Sequence, residues 1–97
     1  MKARAIVDDG SVPLNPYIEE YIAAIFFAAA STLRGVDDPK ELEFVIHGDK
    51  LHITSDGTPV EFTGFAKVIV ADTLIATLKH LKGVDTNRET RVVVTRS

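Results

Sequence analysis

Leu33-Arg34-Gly35-Val36-Asp37 recurs as Leu81-Lys82-Gly83-Val84-Asp85, an offset of 48 residues (33 to 81). Each copy closes an apolar segment and reads as a helix stop: glycine takes the left-handed conformation that ends a helix, and the valine after it folds back on the last turn. The match is collinear in both directions. Downstream, Lys40-Glu41 corresponds to Arg88-Glu89 and Phe44-Val45-Ile46 to Val92-Val93-Val94; upstream, Asn15 corresponds to Thr63. Asp9-Gly10-Ser11 corresponds to Asp56-Gly57-Thr58 at an offset of 47 (9 to 56). The 97 residues therefore read as a single domain, 1–97, with an internal repeat of approximately 1–48 and 49–97.

Each half carries the signals of one helix. Asn15 is a strong N-cap and Pro16 suits the first helical position. Glu19 and Glu20 favour the positive end of the helix dipole, and Arg34 the negative end. In the second half Thr63 caps, Lys79 and Lys82 lie in the last turns, and Gly83 stops the helix. Helices of about 19 residues are expected over 16–34 and 64–82.

Strands are expected over 2–8, 41–47, 50–55 and 89–96. The middle two flank Gly48-Asp49, a type II′ hairpin turn. That turn pairs Ile46 with Leu51, Phe44 with Ile53 and Leu42 with Ser55, which places the apolar residues on one face. The element order β-α-β-β-α-β is that of an α+β, two-layer ferredoxin-like sandwich. With right-handed crossovers, both helices would cover one face of a four-stranded antiparallel sheet in the order 4-1-3-2.

Composition narrows the function classes. A net charge of −3 and 26% charged residues leave no dominant attraction to nucleic acid or an anionic membrane. There is no cysteine, which removes disulfides, thiolate metal ligands and cysteine nucleophiles, and points to the cytoplasm. The opening Met-Lys-Ala-Arg-Ala-Ile-Val lacks the apolar run of a signal peptide. The most apolar stretch, 21–33, is shorter than the roughly 20 residues that cross a bilayer. No membrane or nucleic-acid partner is expected.

The helices hold more apolar surface than one stripe needs. Ile18, Ile22, Ile25, Phe26, Ala29 and Leu33 form a stripe for the sheet, matched by Ala66, Val70, Thr73, Leu74, Thr77 and Leu81. Phe27 lies roughly 140° from the first stripe, near Ala23 and Ala24; Ile75 repeats this with Ala71 and Val68. Sinking the helices deep into the sheet would bury these residues within the chain. Otherwise Ala23, Ala24, Phe27, Val68, Ala71 and Ile75 form an outer contact surface for a second copy of the chain. A homodimeric, non-enzymatic interaction module is the leading expectation, through the helix backs or the open face of the sheet.

Chemistry is weakly marked. The hairpin histidines His47 and His52 make a poor ligand set, because Glu43, the carboxylate on their face, lies too far along its strand, and His80 suits a helix C-terminus. Asp8, Asp9, His47 and Asp49 are the weak metal candidates. Their alternative reading is a small-ligand or metal-ion-binding regulatory site at the Asp8/Asp9 loop and the 47–50 hairpin. Asp-Gly is also ordinary turn chemistry. No phosphate-binding glycine loop or nucleophile elbow occurs, so no catalytic residue and no cofactor is expected. On an open sheet face, Arg4, Ile6, His52 and Thr54 of the expected central strands offer no aromatic platform for bases.

Overall fold

The computed structural model describes residues 1–96. Six strands and two helices follow one another as β1 (Lys2–Val7), β2 (Gly10–Val12), α1 (Pro16–Ser31), β3 (Glu41–His47), β4 (Lys50–Ser55), β5 (Thr58–Pro59), α2 (Gly64–Lys79) and β6 (Thr90–Thr95). The strands form one antiparallel sheet in the order β2-β1-β6-β3-β4-β5. Both helices cover the same face. Ala3, Leu42, Phe44, Leu51, Val92 and Val94 of the strands share a single core with Ile22, Phe26, Val70 and Leu74 of the helices.

This architecture corrects the ferredoxin-like expectation. A 4-1-3-2 order needs β1 and β4 side by side at the centre, and neither has two free edges. β1 turns back through Asp8-Asp9 onto β2, and β4 through Asp56-Gly57 onto β5. All four turn residues have positive φ, between 47° and 82°, the pattern of two-residue type I′ hairpin turns. With one edge of β1 and one of β4 already paired, β3 and β6 take the centre. Their composition fits that place. Val92-Val93-Val94 and Phe44-Val45-Ile46 are continuous apolar runs, as strands flanked on both sides tend to be. β1 and β4 alternate instead with Arg4 and His52.

The β3–β4 hairpin has the expected register: Ile46 opposite Leu51, Phe44 opposite Ile53, Leu42 opposite Ser55. Gly48 alone supplies the positive φ in its turn, 65°, as a II′ turn requires.

Both helices stop three residues short of the expected ends. After Ser31 the bonding tightens from i−4 to i−3, with the Leu33 N–H donating to the Ala30 carbonyl at 3.0 Å. Leu81 does the same to Leu78 at 3.0 Å. The Thr32 hydroxyl takes up the Ala29 carbonyl at 2.7 Å, a local bond that competes with helix continuation. Gly35 still supplies the left-handed residue, φ 91°, one turn later. At the other ends, Asn15 caps as expected, accepting from the Ile18 N–H at 2.8 Å. Thr63 occupies the cap position of α2, but its side chain makes no capping bond.

The elements correspond at a constant spacing. Buried Ile22, Ala23, Phe26 and Ala30 on α1 are followed 48 residues on by buried Val70, Ala71, Leu74 and Leu78 on α2. The Asp8 N–H donates to the Glu89 carbonyl at 3.2 Å, and the Asp56 N–H to the Glu41 carbonyl at 2.9 Å. This places the acidic turn at the same spacing of 48 (8 to 56) rather than 47.

Asp56 ties the β4–β5 turn to the start of β3. Its carboxylate accepts from the Lys40 N–H at 3.0 Å and the Glu41 N–H at 2.9 Å. Asp56→Ala removes both acceptors and leaves alanine at a left-handed φ of 49°. An expected loss of about 1–2 kcal/mol follows, readable as a lower urea midpoint at unchanged slope. Asp56→Asn, which keeps one acceptor and tolerates this φ, should recover part of it.

Candidate interaction surface

On α1 the fully buried arc is Ile22, Ala23, Phe26 and Ala30, with Ile18, Ile25, Phe27 and Ala29 partly covered at its margins. This arc is centred about 60° round from the expected stripe, at 100° per residue. On α2, Ala66 and Thr73 are correspondingly exposed, and Ala71 and Leu78 take their place in the core.

The rotation redistributes the six expected contact residues. Ala23 and Ala71 are core residues. Phe27 and Ile75 are half-buried and pack against the core. Only Ala24 and Val68 are exposed. The Arg96 guanidinium, which also pairs with Asp38, lies 5.7 Å from the centroid of the Phe27 ring, within cation–π range. Phe27 is thus flanked from outside by its own chain, through a partner 69 residues away (27 to 96).

The outward arc of α1 carries Tyr17, Tyr21, Ala24 and Ala28, all exposed. From Tyr21 to Ser31 the helix has no charged residue; an exposed helix face normally carries several. On α2 the same helical positions, 48 residues on, are Phe65, Ile69, Asp72 and Ala76, again all exposed. Phe65 is 78% exposed and Tyr17 73%. With Tyr21, Val68 and Ile69 they complete the exposed large apolar side chains of the described residues, Met1 apart. Every one lies on the helix layer.

Between the start of α1 and the end of α2 runs a groove of about 440 Å³, lined by Ile18, Tyr21, Ile22, Ala76, Thr77, His80 and Leu81. Those elements meet there only because the two helices run antiparallel. The groove is mostly apolar, with Tyr21, Thr77 and His80 supplying polar atoms.

The opposite face of the sheet has another character. Cross-strand neighbours place Arg4, Val93, Glu43 and Thr54 in one row and Ile6, Arg91, Val45 and His52 in the next. Val93 is only 5% exposed, at a register position between Arg4 and Glu43. The central strands place Glu41, Glu43, Val45 and His47 of β3 and Arg91, Val93 and Thr95 of β6 on this face. None is aromatic, and the face mixes charges of both signs. The outer edges of the sheet are β2 and β5, three and two residues long, with Pro13 just after β2 and Pro59 within β5. Short, proline-bearing edges resist strand addition.

The acidic loop and the hairpin do not meet as a 4-1-3-2 sheet would bring them together. β6 lies between β1 and β3, so Asp8 and His47 are two strand spacings apart, about 10 Å. Asp8 pairs instead with Arg88 at 3.3 Å, and the Gly48 N–H donates to the Thr86 carbonyl at 2.6 Å. Among the described residues no three of His, Asp and Glu group as a metal site. No buried side-chain nitrogen or oxygen among the described residues lacks a hydrogen-bond partner. No helix among the described residues is long and apolar enough to cross a membrane.

Tyr17, Tyr21, Phe65 and Ile69 were not among the residues expected at the surface contact. Their signal was present: aromatic or branched residues recur at the same helical positions in both halves. Compared with protein-family models, curated proteins and solved structures, the chain matches none.

Proposed function

We propose that this chain is a non-enzymatic, self-associating module that forms a homodimer through its helix layer. One observation carries the reading: apart from Met1, all the exposed large apolar side chains of the described residues lie on α1 and α2. Covering such side chains removes apolar area worth roughly 25 cal/mol per Å², and exposed Ala24 and Ala28 let a facing helix approach closely.

A second copy is the partner that fits. The outward arcs carry few charges, Glu20 and Asp72 against Lys79, so one copy meets little repulsion from another there. The chain is flattened, 31 × 30 × 20 Å, and a broad face of that size can supply the ~800 Å² per partner of a standard interface. The charged sheet face and blunt sheet edges offer less. We further read the chain as a duplicated ββαβ half and place it in the cytoplasm, readings supported by the constant spacing of 48 and by the absence of cysteine.

Sedimentation velocity from low to high micromolar concentration tests this. The expected result is a rise from monomer to a single dimeric species. A chain that stays monomeric throughout that range is not a self-associating module.

A further inference from the structure

Phe65 and the α1–α2 groove lie at opposite ends of the helix layer. Phe65 stands in the first turn of α2, and the groove is built from the beginning of α1 and the end of α2. Because the helices are antiparallel, a twofold axis lying in the layer and crossing the helices sets the first turn of α2 in one copy over the groove of the other. The same rotation does the reverse. Both contacts close with one operator, as an isologous dimer requires.

Resting on the self-association proposed above, we infer that the Phe65 ring of each copy seats in the α1–α2 groove of its partner and anchors the dimer. Phe65 is the most exposed of the large apolar side chains. Well-packed aromatic anchors in apolar pockets are where binding energy concentrates. The groove offers Ile18, Tyr21, Ile22, Ala76 and Leu81 around a space of about 440 Å³, ample for one ring.

Tyr17, the counterpart of Phe65, stands at the groove's own end of the layer, so this twofold does not bring it over the partner's groove.

The chain contains no tryptophan, so Phe65→Trp introduces a single indole at an exposed position that folding does not depend on. Its emission is followed across the concentration range of association, with sedimentation of the same samples. The expected result is a shift to shorter wavelength that tracks the dimer fraction. In a Phe65→Trp/Ala76→Phe variant, whose groove is filled, the indole should stay solvent-exposed and association weaken about tenfold or more. A dimer whose indole emits as in water at every concentration overturns the inference and leaves self-association standing. So does an indole that is blue-shifted before any dimer forms, or one unaffected by Ala76→Phe. Absence of any dimer removes both readings.

Discussion

Phe26→Ala is expected to destabilise the fold by about 3–5 kcal/mol, a large share of the roughly 5–15 kcal/mol that holds a small domain together. Phe26 is completely buried. Its ring meets that of Phe44 edge to face, with centroids 4.9 Å apart and planes at 81°. Phe44 stands on β3, one of the two central strands, so the pair joins the helix layer to the middle of the sheet. Truncation leaves a cavity beneath α1 and removes an aromatic contact worth about 0.5–1.5 kcal/mol beyond its area. Phe27→Ala is the internal control. Phe27 is only partly buried, at the margin of the core beside Arg96, and its loss should cost clearly less. Urea unfolding of the two variants reads the phase of α1 directly: equal losses, or a larger one for Phe27, would contradict the observed burial.

The residues that decided the fold were legible to different depths. Gly48-Asp49 between alternating strands specified one hairpin down to its register, since a two-residue turn leaves no freedom in pairing. Helix ends at Gly35 and Gly83 were legible as chain reversals but not as helix termini. The hydroxyl of Thr32 and the tightened last turn end α1 earlier, and nothing in a glycine reports that. Strand order was misread for a local reason. Asp8-Asp9 and Asp56-Gly57 had been treated as loops, whereas type I′ turns there create β2 and β5 and use up one edge of β1 and β4. The continuous valines of β6 were the available clue that it lies at the centre.

Reading the contact surface depended on helix phase, and phase is where single-helix periodicity is least decisive. α1 is apolar almost all round, so a stripe centred on Ile22 and Phe26 and one rotated toward Ala23 and Ala30 score alike in sequence. Phe27 packs at the margin of the core and is flanked by Arg96, far along the chain and outside any local pattern. What survived the rotation is the surplus of apolar surface on the helices; which residues display it changed from Phe27 and Ile75 to Tyr17, Tyr21, Phe65 and Ile69.

Tyr21→Lys combined with Ile69→Lys is expected to weaken self-association by a hundredfold or more, about 3 kcal/mol. Both positions are roughly half exposed in the single chain, 48% and 47%. Lysine there can extend into water, and the monomer fold should be little affected. In the proposed dimer the same two positions fall within the covered layer. Each substitution then loses apolar contact and places an ammonium where it must be desolvated or push the copies apart. In the isologous contact proposed, every substitution acts twice. Arg4→Glu with His52→Glu makes a comparable disturbance on the opposite face, at exposed positions of β1 and β4.

Sedimentation equilibrium of the wild-type chain beside these two double variants tests most directly whether the helix layer is the contact between copies. The account predicts dimers for the wild type and for Arg4→Glu/His52→Glu, and monomers for Tyr21→Lys/Ile69→Lys at the same concentration. Dimers that survive the lysines but dissociate with the sheet-face glutamates would contradict it.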